Sequence, residues 1–144
     1  IQKYVGDEPF FMTYGDGVAD ININKLVEYH KNHGKIATLT ATNVNQRFGV
    51  LDLEGDTVKA FKEKISDGSK INVGYMMLDS RIFEMIDGDD TIFEKTTLEK
   101  VASLGELKAF IHDGFWQCMD TKREKDMLEK YWSSGEAPWK VWGD

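Results

Sequence analysis

Proline and cysteine are scarce. The 144 residues hold two prolines and a single cysteine, Cys118. A lone cysteine excludes an internal disulfide, and with it a small fold held by covalent staples. A reducing, cytoplasmic home is the expectation that follows. No low-complexity tract or repeat period is present, which excludes a solenoid and leaves no linker to divide the chain. No apolar run approaches the ~20 residues needed to span a bilayer, and no signal-peptide pattern is present. Positive charge is in the minority: 18 basic against 25 acidic residues leave a net charge of −7, which argues against a nucleic-acid-binding surface. Against these shortages, hydrophobic residues make up 41% of the chain, enough to build a core and to exclude wholesale disorder. The length fits one domain or a large piece of one. The chain starts at Ile1 rather than Met and enters a strand-like run almost at once, so a piece of a longer protein is expected.

Hydrophobic periodicity predicts the elements. Pro9 to Tyr14 is a buried strand ending in the tight loop Gly15-Asp16-Gly17. Ile23, Leu26, Val27 and His30 recur at helical spacing, with Asn22 as N-cap and Gly34 as stop. Ile36 to Thr42 is a strand. Phe48 to Leu53 and Thr57 to Glu63 flank Glu54-Gly55-Asp56 and predict a hairpin. Ile71 to Leu78 is almost continuously apolar and predicts a strand covered on both faces. A helix with Ile82, Phe83 and Ile86 follows, capped by Asp79 or Ser80. Thr96-x-x-Glu99 and Thr121-x-x-Glu124 both have the form of capping boxes. Leu107 to Ile111 is a short strand, and Gly114 to Met119 a loop rich in large side chains. Alternating strands and helices predict an α/β fold, a mixed sheet covered by helices, in one domain over residues 1–144.

Chemistry concentrates in a few places. Asp16 directly follows a buried strand, at the sheet edge where open α/β folds bind ligands. Its flanking glycines let the chain turn and a ligand approach. A carboxylate there suits Mg²⁺ shared with phosphate oxygens, or serves only the turn. Asp120 precedes a capped helix. It is either a helix-start anion or a second metal carboxylate. Lys64 in Phe61-Lys62-Glu63-Lys64 belongs to a charge run or binds a phosphate as a point charge. A dinucleotide fingerprint fails because Asp20 stands at the third glycine position. His30 and His33 lack partners for a zinc site and read as a packed and an exposed histidine. Asp87 to Asp90 starts like a calcium loop, but Ile92 and Leu98 stand where glycine and glutamate are required. No G-x-S-x-G elbow exists. Trp116, Trp132, Trp139 and Trp142 read as core or subunit contacts.

Seven stretches in order carry a resemblance: TYGDGVAD (Thr13–Asp20), HGKIATLTAT (His33–Thr42), RFGVLDL (Arg47–Leu53), FKEK (Phe61–Lys64), INVGYMMLD (Ile71–Asp79), GFWQCMDTKRE (Gly114–Glu124) and APWKVW (Ala137–Trp142). Together they resemble the C-terminal part of the glucose-1-phosphate cytidylyltransferases, a branch of the sugar-nucleotide pyrophosphorylases. The resemblance implies a Rossmann-like nucleotide-diphospho-sugar transferase fold. It also implies transfer between CTP and glucose 1-phosphate with Mg²⁺, giving CDP-glucose and pyrophosphate, in an enzyme that makes precursors of surface polysaccharides. By carry-over, Asp16 and Asp120 are the metal carboxylates, and Tyr14 and Gly15 border the nucleotide. Lys64 holds the sugar phosphate, Glu63 faces sugar hydroxyls, and Gly49 and Gly74 bring backbone close to the sugar.

This sequence departs from the family pattern at Ile65, where proline follows the Glu-Lys pair, and at Val73, where the first glycine of Asn-Gly-Gly stands. Thr96-Thr97 replaces Glu-Pro. No glycine-rich Gly-Gly-x-Gly-Thr-Arg triphosphate loop is present. The domain is therefore expected to be incomplete and inactive alone, with an exposed sheet edge and apolar surface through which a homo-oligomer, or poor solubility, is expected. Two other readings stand beside this one: a related transferase with another base or sugar preference, and a non-catalytic sugar-phosphate-binding or assembly module.

Overall fold

A computed structural model of the chain describes residues 1–43, 50–54, 57–62 and 70–143, with 50–54 and 57–62 described as backbone only. The apolar run at Ile71 forms the long strand of the fold. Counting strands and helices in chain order, this strand is β6 (Lys70–Leu78). It lies between β1 (Phe10–Thr13) and β3 (Ala37–Asn43), antiparallel to both, and β7 (Leu107–Ile111) runs parallel to β3 on its far side. The result is a mixed four-stranded sheet of order β1-β6-β3-β7. Val73, Met76, Met77 and Leu78 are buried, which is why the β6 sequence shows no polar alternation. β4 (Val50–Glu54) and β5 (Thr57–Lys62) form the expected antiparallel hairpin as a separate two-stranded sheet.

Successive β3 side chains point to opposite faces, and each face is covered differently. Ala37, with Ile36, Met76 and Leu78, packs against Ile82, Leu98 and Val101. Those three residues come from a 3₁₀ turn (Ser80–Met85), a π-helical turn (Phe93–Leu98) and α3 (Glu99–Ser103). Thr38, on the other face, meets α2 (Ile23–His33). Asn22 caps α2 by accepting from the Lys25 amide (3.0 Å), and Gly34 closes it in the left-handed conformation. α4 (Lys122–Ser134) opens with the full Thr121–Glu124 capping box. Beyond it, Trp139 stacks on Phe115 (centroids 5.6 Å apart) and meets Tyr131 edge-on, while Trp132 and Trp142 stay exposed.

Four local expectations are corrected. The opening residues form one helical turn, α1 (Gln2–Val5), instead of a strand. Thr96 caps nothing: the helix starts a turn earlier, at Phe93, because Phe93 and Leu98 pack on the core cluster and this apolar anchoring outweighs a local cap. Gly114 to Met119 is only partly loop, since Trp116–Cys118 forms strand β8 against β2 (Gly17–Ala19). His33 is half-buried and hydrogen-bonded instead of exposed.

That histidine belongs to a chain of hydrogen bonds whose proton positions follow from one end. The Lys35 amide donates to His33 Nδ1 (2.9 Å), so His33 carries its proton on Nε2 and donates to Thr38 Oγ1 (2.7 Å). The Thr38 hydroxyl is then left to donate to His30 Nδ1 (2.8 Å), and both rings are neutral. Burial is the first cause that lowers the pKa of each. His33 and Arg81 lower His30 further against Asp79, and Lys108 and Lys35 lower His33 further against Glu106. The unfolded chain takes up these protons near the ordinary histidine value of about 6.5, and the folded chain resists until lower pH. Stability is therefore full above that value and falls as pH drops through it. The thermal unfolding midpoint should be lower at pH 5 than at pH 7.5. A midpoint that stays level or rises over that interval contradicts this neutral relay.

Candidate active site

The strongest local sequence feature, Thr13 to Asp20, becomes the crossing between the main sheet and a second, small sheet. β1 ends at Thr13 and β2 begins at Gly17, so Tyr14, Gly15 and Asp16 form the connection. The Tyr14 amide donates to the Gly74 carbonyl (2.9 Å), and the Tyr75 hydroxyl donates to the Gly17 carbonyl (3.0 Å). β2 pairs antiparallel with β8 in the register Gly17–Cys118, Val18–Gln117, Ala19–Trp116. The ribbon continues one step further, where the Met119 amide donates to the Asp16 carbonyl (2.7 Å). Asp16 thus lies across from Met119, the neighbour of Asp120. Two acidic residues remote in sequence reach the same end of one ribbon, and both are exposed.

The other end of the ribbon is fastened by residues the motif reading did not single out. The Asp20 amide donates to the Phe115 carbonyl (3.2 Å). Asp20 Oδ1 lies 3.1 Å from His112 Nε2, which is itself 3.0 Å from the Phe115 carbonyl. A side chain at Gly114 would collide with the Asp20 carboxylate. The signal for this junction was present in the sequence as GVAD and HDGFW, but their partnership is visible only in three dimensions.

Tyr14 is held on every side. Its side chain lies against Gly74, whose φ is +82° and where an added Cβ would sit 2.6 Å from the ring. The Tyr14 hydroxyl donates to Glu94 Oε1 (2.5 Å), and Asn72 Nδ2 donates to the same hydroxyl oxygen (3.4 Å). Burial first, then the hydrogen bond to Glu94, pushes the phenol pKa up to about 12. The same bond holds the Glu94 carboxyl below its ordinary value. Tyr14 is therefore a protonated donor at neutral pH. Glu94 carried no sequence signal, because an exposed glutamate in a helix is ordinary.

At the other strand of the ribbon, Asp120, Cys118 and Glu124 bring ligand atoms within 4.8 Å of one another. Glu124 serves the cap of α4: its Oε2 accepts from the Asp120 and Thr121 amides (3.0 Å each). Burial, then the neighbouring Asp120, raises the Cys118 thiol above its ordinary pKa. Asp120 in this cluster is exposed, as is Asp16 across the ribbon end. Hard carboxylate oxygens at an open edge fit a Mg²⁺ that keeps water and phosphate ligands. Gly49, Glu63 and Lys64 lie outside the described residues. Val73 is 3% exposed, its carbonyl accepting from Trp116 Nε1 (3.1 Å).

Open α/β sheets bind ligands beyond the carboxyl ends of their strands, which is where the β1–β2 connection lies, and the chain belongs to the nucleotidyl transferase family, whose model matches residues 1–135. Within it, the chain is 49% identical over 144 residues to the glucose-1-phosphate cytidylyltransferase of Salmonella typhi, covering 99% of this chain and 56% of that protein. It is 33% identical over 127 residues to mannose-1-phosphate guanylyltransferase 1 of Arabidopsis thaliana, covering 84% of this chain and 35% of that protein. Among solved structures it resembles HddC from Yersinia pseudotuberculosis, with a TM-score of 0.64 and 25% identity over 90% of this chain and 58% of that one. The chain spans about half the length of the curated relatives it matches. Among the described residues, no helix is long and apolar enough to cross a membrane.

Proposed function

We propose that the whole protein transfers a cytidylyl group. The phosphate oxygen of glucose 1-phosphate attacks the α-phosphorus of CTP, the bond to the β-phosphate breaks, and CDP-glucose and pyrophosphate form. The observation that carries this reading is the Asp16–Met119 backbone hydrogen bond, which brings Asp16 and Asp120 to one ribbon end. The 49% identity to a cytidylyltransferase supports the choice of base and sugar.

Such a transfer requires alignment and charge neutralisation more than covalent help. Asp16 and Asp120 would hold Mg²⁺, which when bound neutralises charge on the triphosphate. Tyr14 and Gly15 line the nucleotide side of that pair. Lys64 sets a point charge against the sugar phosphate, Glu63 accepts from sugar hydroxyls, and Gly49 lets the sugar approach backbone, whereas the bare side of Gly74 is filled by the Tyr14 ring. The same reading has identical copies assembling in the cytoplasm. It has the 144-residue chain alone inactive, since no glycine-rich triphosphate loop stands in it.

Pyrophosphate release by the whole protein is the test, with CTP, dTTP, UTP and GTP each offered glucose 1-phosphate and mannose 1-phosphate. CTP with glucose 1-phosphate should be the fastest pair. A preference for another pair overturns the substrate assignment. No release with any pair favours the non-catalytic module.

A further inference from the structure

The connection from β1 to β2 is fixed through its backbone by β6 and β8, at Gly74, Tyr75 and Met119. Its one large side chain, Tyr14, is fixed from elsewhere, by Glu94 on the π-helical turn. An exposed tyrosine–carboxylate bond has water as a competitor and normally contributes little. Here both ends are fixed in place beforehand. The Tyr14 ring lies over a glycine that leaves room for it, and Asn72 donates to its oxygen while accepting from the Gly74 amide (3.0 Å). Glu94 rides on a turn anchored by Thr97 and Leu98, which are 0% and 6% exposed, with Phe93 packed on the core cluster. The extra residue in that turn belongs to a class of helix irregularity frequent at functional sites. Asp16 follows Tyr14 by two residues in the same connection.

We propose that Glu94 is a positioning residue for the transfer reaction: by accepting a hydrogen bond from the Tyr14 hydroxyl it fixes the Tyr14-Gly15-Asp16 loop, and through that loop the placement of the Asp16 carboxylate. This inference rests on the transferase reading above. Glu94 itself touches neither substrate in this account. Its effect on rate passes entirely through Tyr14.

The test is a double-mutant cycle in the whole protein, assayed with whichever triphosphate and sugar phosphate it turns over fastest. A base or sugar other than cytosine and glucose would then overturn the substrate assignment and leave this test intact. Glu94→Ala and Tyr14→Phe should each lower kcat by between about tenfold and a hundredfold, the range a small misplacement of reacting groups produces, and raise the Mg²⁺ concentration needed for half-maximal rate. The KM for the sugar phosphate should hold. The double variant should be no slower than the slower single one, because both remove the same bond. Glu94→Gln, whose amide oxygen still accepts the phenol proton, should recover most of the loss. Since Glu94 is exposed, the unfolding midpoint of Glu94→Ala should stay close to native. Losses that multiply in the double variant, a Glu94→Ala rate within threefold of native, or a change confined to the KM of the sugar phosphate would each overturn the proposal.

Discussion

Replacing Asp16 or Asp120 by asparagine in the whole protein should lower Mg²⁺-dependent turnover by about a hundredfold or more, the usual size of loss when a preorganised charge is removed from a transfer site. Asparagine keeps the shape of each side chain and an oxygen donor but removes the negative charge that a hard divalent ion requires. Both residues are exposed, and the backbone bonds around them stay available, so folding should be little changed. Asp120 is the sharper test because its helix-start position offers a purely structural role. If the capping box Thr121–Glu124 alone explained an acid there, the asparagine variant would turn over normally. Steady-state rates across a Mg²⁺ titration decide it. Unchanged turnover in either variant would remove that residue from the metal role.

Gly74→Ala should damage both folding and turnover although it adds only one methyl group. The added Cβ would lie 2.6 Å from Tyr14 Cδ2 and 2.8 Å from its Cγ, and φ of +82° already disfavours any side chain. The strain and the overlap together should cost about 2–4 kcal/mol. Relief requires Tyr14 to leave its place, which breaks its hydrogen bond to Glu94 and shifts the loop carrying Asp16. A lowered unfolding midpoint accompanied by loss of turnover is the expected pair of results, read by calorimetry and by pyrophosphate release. A variant with native midpoint and rate would show that the ring does not depend on the bare backbone.

Elements governed by their own residues were legible in advance. α2 could be read from Asn22 to Gly34 and α4 from its capping box, because caps act within a single turn. β6 was legible from its unbroken apolar run. The mistaken cap at Thr96 shows where such reading ends. The four-residue signal is real, but Phe93 and Leu98 gain more from burial in the core than a cap can supply. Half of the candidate site was legible through Asp16 and its glycines. Glu94, His112 and the pairing of β2 with β8 were not. Each depends on a partner far along the chain, as Tyr14 does on Glu94, and no local periodicity reports that.

The β2–β8 ribbon has a consequence for how the molecule comes together. Its two strands are separated by roughly a hundred residues, so joining them closes a long loop whose entropic cost must be met before the ribbon gains anything. Neighbouring pairs such as the β4–β5 hairpin can form early and locally. The two strands meet only after β8 has left the ribosome and docked, so the ribbon end where the Met119 amide reaches the Asp16 carbonyl takes shape late in the life of the nascent chain.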